Sequence, residues 1–216
     1  MKKKKNFNFL LLLFILMIAA NGKLLYNIAK QNETLNSFST ELKRTKQNIE
    51  KSKEYFLKRD FRCNSSEGLY ISDTIKIKGH KNNYYYLKDL IEDPFCLVFY
   101  IDKSHCTTCV EEEVKRLKGY FEELHSSKIL LLFSNIHDRD IEYFKLSNQI
   151  NFKTFQIAPN ALNLPIIDYE IPFLFALNTN GLVYSVFIPE LYEKDFSNAY
   201  YSHIEELFFN QEHDHS

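Results

Sequence analysis

The stretch 95–113 restricts what this chain can become more than any other. Phe95 to Ile101 is an apolar run rich in β-branched and aromatic residues, the pattern of a buried strand. A short polar turn follows, and then Cys106 and Cys109 at a C-x-x-C spacing. Val110, Val114, Leu117, Tyr120, Phe121 and Leu124 recur every three or four positions beyond it, which predicts a helix. A strand that passes through a turn into a helix sets Cys106 at or just before the helix N-terminus, with Cys109 one turn further in on the same side.

Unpaired N–H groups and the helix dipole favour negative charge at such a position. A thiol there ionises more readily, and the thiolate is the species that attacks disulfides. The second thiol can close a ring with the first, so a mixed disulfide is resolved within the molecule. His105, directly before Cys106, would add positive charge when protonated. Glu111, Glu112 and Glu113 suit the first turns of a helix, facing solvent. A structural zinc site would need a second pair of ligands, and the sequence holds no second C-x-x-C and no H-x-x-x-H. Redox chemistry is the expectation, with no metal and no cofactor.

The chain has 216 residues, enough for one ordinary domain with extensions. Its 45% hydrophobic content suffices for a core, and a formal charge of −1 leaves no basic excess for nucleic acid. Residues 1–22 read as a signal anchor or signal peptide. Lys2 to Lys5 form a positive n-region and Phe9 to Ala20 an unbroken apolar run, of signal-peptide length and short for a full span. Ala20-Asn21-Gly22 offers a loose cleavage site; an uncleaved helix would keep its lysines in the cytoplasm. Either way the rest of the chain is exported.

Residues 23–60 form a helical stalk. Ile28, Leu35, Leu42, Ile49 and Phe56 recur every seven residues, with Gln31, Phe38, Thr45 and Ser52 at the partner positions. A half-filled heptad suggests a stalk or a loose coiled coil with self-association through 24–58; the alternative is a solvated helix lying on the domain. A folded domain over 61–210 follows, with 211–216 a disordered tail. Leu69–Ile71, Thr74–Ile77 and Tyr84–Tyr86 read as short strands, Lys81-Asn82-Asn83 as a turn, and Leu87–Ile91 as a helical turn. Cys63 lies in a polar, exposed-looking context, while Cys96 sits inside the apolar strand. Cys63 could pair with Cys96, pair with a second chain, or relay electrons; burial of Cys96 disfavours the first.

Lys128–Ser134 is a second buried strand, residues 137–148 a helix and Thr154–Ala158 a short strand. Ile171–Leu177 is a third buried strand led by Pro172. Asn178–Gly181 turns it into a returning strand over Leu182–Ile188, and residues 197–209 form a closing helix. This order gives an α/β fold, a central mixed sheet with helices on both faces, preceded by the anchor and stalk.

The chain resembles a known family on particular residues. Cys106-Thr107-Thr108-Cys109 after a buried strand, with Ile171-Pro172 later at the head of a hairpin, is similar to the thioredoxin-like fold. The leading segment, the N-terminal anchor and Phe173–Val183 look most like exported TlpA/ResA-type thiol–disulfide oxidoreductases, over roughly 68–209. The resemblance implies that Cys106 attacks and Cys109 resolves. It also implies that Pro172 is cis and faces the disulfide, and that the Ile171 backbone pairs with bound substrate. Glu113 would be a proton relay near the sulfurs, against the plainer reading of a solvated acid. His105 stands where the family usually has Trp, and Thr107-Thr108 replaces the common Pro. Lys103 occupies the place where thiol peroxidases of this fold keep Thr or Ser, which argues against a peroxidase.

The expectation is a membrane-tethered thiol–disulfide oxidoreductase acting on protein thiols and disulfides in a bacterial cell envelope. It would be anchored in the inner membrane and face the periplasm, or be released after cleavage. The alternative is a copper-binding or non-catalytic adaptor domain on the same scaffold. Against copper, no histidine lies between 138 and 202.

Overall fold

The computed structural model describes residues 2–79, 83–91, 94–121 and 126–209, and within these the side chains of 2–13, 15, 19–20 and 208–209 lie outside the description. The chain divides into two compact units, Met1–Leu57 and Lys58–Ser216. Helix α1 (Lys2–Ser66) belongs to both. It crosses positions 22 and 60 without a break, since one interior Gly costs only about 1 kcal/mol and no proline interrupts it. In the first unit α1 is the sole element, and every side chain from 21 to 57 is exposed. Among the described residues no helix is long and apolar enough to cross a membrane. Most side chains of the apolar run 9–20, which carries the anchor expectation, lie outside those described.

The second unit is built on a seven-stranded mixed sheet. Its strands are β1 (Lys76–Lys78), β2 (Tyr84–Tyr86), β3 (Phe95–Asp102), β4 (Ile129–Ser134), β5 (Lys153–Ile157), β6 (Phe173–Asn178) and β7 (Val183–Phe187). They lie in the order β2-β1-β5-β4-β3-β6-β7. β3 runs parallel to β4 and β4 to β5, whereas β6 is antiparallel to β3. The continuous apolar runs of β3 and β4 are those of strands covered on both faces.

One face carries α2 (Thr107–Phe121), α3 (Asp138–Asn148) and α4 (Lys194–Ile204). Val110, Val114, Leu117 and Phe121 of α2, at most 3% exposed, pack with Leu97, Phe99 and Ile101 of β3 and with Tyr201 and Ile204 of α4. Each such fully buried side chain contributes about 1.5–3 kcal/mol. Short 3₁₀ turns at Leu87–Leu90 and Pro165–Tyr169 cover the other face with Ile71, Ile75 and the last turns of α1. There the Ile166 N–H donates to Ser66 Oγ at 3.1 Å, the Val186 N–H donates to Glu67 Oε1 at 2.9 Å, and Arg62 lies 3.8 Å over the Tyr169 ring.

Leu69–Ile71 is not a strand. Tyr70 makes a single bridge to Leu182, the Val183 N–H donates to Leu69 O, and the Ile71 N–H donates to Gly181 O. The segment lines the start of β7, and three residues are too few to continue a ladder. Gly181 is required there: its φ is +79°, and a Cβ would lie 2.7 Å from Ile71 O. The expected turn at 81–83 and the tail 211–216 fall largely or wholly outside the described residues.

Candidate functional site

β3 ends at Asp102, and the loop 103–106 that delivers the first cysteine is held by that residue. Asp102 Oδ1 accepts from the Ser104 N–H and Oγ–H at 3.0 and 2.9 Å, and Oδ2 accepts from Asn135 Nδ2 at 2.6 Å. Burial pushes the Asp102 carboxyl up, but these hydrogen bonds outweigh it and hold it below the usual range. The Lys103 N–H donates to Ser134 O at 3.2 Å, tying the loop to the end of β4.

Cys106 is the residue before the first turn of α2, and its carbonyl accepts the Val110 N–H at 3.1 Å. Its side chain is exposed, while that of Cys109 is partly buried. Hydrogen bonds from the Cys109 thiol and from the Cys109 and Thr108 N–H groups lower the Cys106 pKa, as the free donors of a helix start should. Burial, the hydrogen bond to Cys106 and the charge of Cys106 raise that of Cys109 to about 11, with a further contribution from Glu190. The pair thus divides into an exposed thiolate and a protonated neighbour that donates to it.

His105 is 8% exposed and its ring lies edge-on to Tyr100. Its Nδ1 accepts the Asp102 N–H at 2.9 Å, which leaves the proton of the neutral ring on Nε2. Burial lowers its pKa to about 4 against the opposing pull of Asp102. His105 is therefore neutral at neutral pH and adds no positive charge beside Cys106, contrary to the sequence expectation; a polar context in the chain did not reveal that the ring folds inward.

The antiparallel register that pairs Tyr100 with Phe173 brings the head of β6, and so Ile171-Pro172, to the end of β3 from which the cysteine loop leaves. Tyr100 stacks on Phe173 at 5.0 Å. No peptide bond among the described residues is cis. The Ile171–Pro172 bond is trans, the form ordinarily favoured by about 0.5–1 kcal/mol, and not the cis form that the resemblance implied.

Glu113 is fully buried. It accepts from Arg116 Nη1 at 2.8 Å, from Ser197 Oγ at 3.2 Å and from the Tyr201 hydroxyl. It is not the solvated acid of the plainer reading, because α4 closes over it with Ser197 and Tyr201. Cys109, Glu113 and Arg116 are spaced along one face of α2. Arg116 donates across it to the carbonyls of Glu190 and Leu191 at 2.9 and 2.6 Å. The loop that carries Glu190 is thereby fastened to the face that begins with Cys109. Arg59 Nη1 pairs with Glu190 Oε1 at 3.2 Å and lies over the Phe187 and Phe196 rings. Asp102, Arg116 and Glu190 were not singled out from the sequence, and only the position of Asp102, closing the strand, offered a local signal.

All four cysteines are free thiols. Cys63 is half-buried against the core face that holds Cys96, not exposed as its polar neighbours suggested. Burial raises its pKa to about 11 and that of Cys96 to about 12. A cavity of about 210 Å³ opens beside the loop, with Ile101, Val110, Phe133, Ile141 and Phe144 in its wall and His105 and Asp140 also lining it. Among the described residues no group of three or more His, Cys, Asp or Glu could hold a metal ion.

No protein-family model matches the chain. No curated protein matches it in sequence. In structure it is similar to the thioredoxin domain of a thiol-disulfide oxidoreductase from Bacteroides vulgatus, at 12% identity and a TM-score of 0.50, over 66% of this chain and 97% of that one. It is equally similar to a candidate protein disulfide isomerase from Bacteroides thetaiotaomicron, at 13% identity and a TM-score of 0.50, over 66% of this chain and 90% of that one. The fold is thioredoxin-like.

Proposed function

We propose that this chain is a thiol–disulfide oxidoreductase of the TlpA/ResA type, exported and tethered to the inner membrane of a bacterial envelope by its N-terminal segment. The observation that carries the reading is the division of the two thiols: Cys106 exposed with a lowered pKa, Cys109 partly buried and raised to about 11. The Cys106 thiolate attacks one sulfur of a substrate disulfide, forming an intermolecular S–S bond and releasing the other substrate sulfur as thiolate. Cys109 then loses its proton and attacks Cys106 Sγ. The intermolecular bond breaks, a Cys106–Cys109 disulfide forms, and the second substrate sulfur leaves and takes up a proton. Two electrons pass to the substrate. Run backwards, the same steps oxidise a dithiol.

Ile171 and Pro172 at the neighbouring strand head are the proposed rest for the substrate backbone. His105, neutral and buried, shapes the approach to Cys106 and supplies no charge. The decisive measurement is the reduction potential of the Cys106–Cys109 pair by equilibration with glutathione or dithiothreitol. A value between about −270 and −120 mV supports the enzyme, and its position in that range indicates reductant or oxidant. A value below about −300 mV with an unreactive Cys106 means a structural disulfide and ends the reading.

A further inference from the structure

The first unit presents a physical difficulty that the second does not. Residues 21–57 of α1 are helical, yet all their side chains are exposed. A helix with no buried face is marginal in water, because helical stability in proteins comes chiefly from burying one face. The residues that ask for cover are regularly placed: Ile28, Leu35, Leu42, Ile49 and Phe56 are 43–66% exposed. Their spacing of seven residues advances about 10.5 Å per step, and a strict seven-residue repeat keeps one seam in line along a left-handed supercoil. Such a seam is self-complementary, so a second copy of this chain can cover it.

Charge decides the direction. With the apolar positions as a, Glu41 occupies a g position and Lys46 the following e position, with Lys53 at the next e. In a parallel, in-register pair g faces the next e of the partner, so Glu41 meets Lys46 of the other copy, twice by symmetry. In an antiparallel pair overlapping over the same residues g faces g, which would set Glu41 of one copy beside Glu41 of the other. Within a single helix residues 41 and 46 are five apart and are not neighbours on its surface, since only three- and four-residue spacings are. Each also has an opposite charge within its own helix, Arg44 three residues after Glu41 and Glu50 four residues after Lys46, so the cross-chain pair adds to these and does not replace them.

We propose that residues 24–57 of α1 form a parallel, in-register two-stranded coiled coil between two copies of this chain, with Ile28, Leu35, Leu42, Ile49 and Phe56 in the seam and Glu41 paired to Lys46 across it. Gln31, Thr45 and Ser52 at the d positions keep the association weak and reversible, and Phe38 is the one large apolar d residue among these four.

The test is sedimentation equilibrium of the full chain in a mild detergent, with helicity followed by circular dichroism. Wild type sediments as a dimer that dissociates on dilution. Leu42→Lys, which places two charges in the seam, weakens association more than about a hundred-fold. Glu41→Lys weakens it about ten-fold by turning two attractions into repulsions, and Glu41→Lys with Lys46→Glu restores it towards wild type. A wild type that stays monomeric at high micromolar concentration overturns the proposal, as does a dimer indifferent to Leu42→Lys. Failure of the double reversal to rescue a dimer that Glu41→Lys has weakened, with helicity retained, overturns the parallel register.

Discussion

Two pairs of cysteines in this molecule share one side chain and almost nothing else. Cys106 and Cys109 stand at the open end of α2, where unpaired backbone N–H groups point at the sulfurs. Cys63 and Cys96 lie against the opposite face of the sheet among Val98, Leu177 and Val186. Water and donors stabilise the thiolate in the first place, and apolar packing excludes it in the second. The difference teaches that a thiol's acidity is set by where it stands, here by the strand–turn–helix junction, and not by cysteine as such. A buried thiol is a small core residue.

The sharpest way to break this comparison is substitution. Cys106→Ser should lower insulin-disulfide reduction by about a thousand-fold or more, while Cys96→Ala should leave the rate within about two-fold; equal losses would mean that both pairs serve the reaction. Alkylation by iodoacetamide at pH 7 grades the same contrast. A pKa near 11 for Cys63 leaves it far less thiolate than Cys106, whose pKa is below 9.0, so Cys106 should be labelled at least about a hundred-fold faster. Peptide mapping that finds Cys63 or Cys96 modified first would reverse the assignment.

Glu113 extends the comparison to a buried acid. Glu113→Ala strands Arg116 without its carboxylate, and a buried pair broken on one side costs about 3–5 kcal/mol. Urea denaturation reads that loss, while the potential of the dithiol should change little; a large change in potential with unaltered stability would assign Glu113 to the sulfurs as a relay.

His105 gives a pH dependence. Its folded pKa of about 4 lies below the ordinary histidine value of 6.5, so the unfolded chain binds the extra proton between those values and stability rises with pH there. The contribution is complete above about pH 6.5 and is lost as the pH falls towards 4, about 3 kcal/mol in all. His105→Phe should flatten the dependence of unfolding free energy between pH 7 and 4.5, and an undiminished slope would assign it elsewhere. The smallest effect is that of Glu190→Gln, which removes one of the lesser influences on Cys109. Cys109 should titrate slightly lower, as read by the ultraviolet absorbance of the thiolate, and an upward movement would contradict the electrostatics.

Most of the architecture was legible because it is local. β3, β4 and β6 are uninterrupted apolar runs, and the three-and-four periodicity of α2 names its buried face. The C-x-x-C motif shows itself by spacing alone. What was not legible depends on partners distant in the chain. Cys63 looks exposed until Ile166 and Val186 are seen to dock on Ser66 and Glu67 beside it. Glu113 looks like one of three solvated acids until α4 arrives with Ser197 and Tyr201. His105 reads as a charge because nothing local reports that its ring packs on Tyr100. Glu190 has no sequence signal, since only the reach of Arg116 and Arg59 brings its loop to α2.

The pairing of β3 with β6 has a consequence for how the molecule comes into being. Its partners, from Tyr100 with Phe173 to Phe95 with Asn178, are 73 to 83 residues apart along the chain. The cysteine loop is held by Ser134 and Asn135, 31 to 33 residues on, and its two sulfurs are three positions apart. Closing the long β3–β6 loop is the entropically slow step of such a topology. An exposed thiol of lowered pKa can therefore form on a nascent chain before the Pro172 end of β6 is in place, so under the proposed function reactivity precedes discrimination in time.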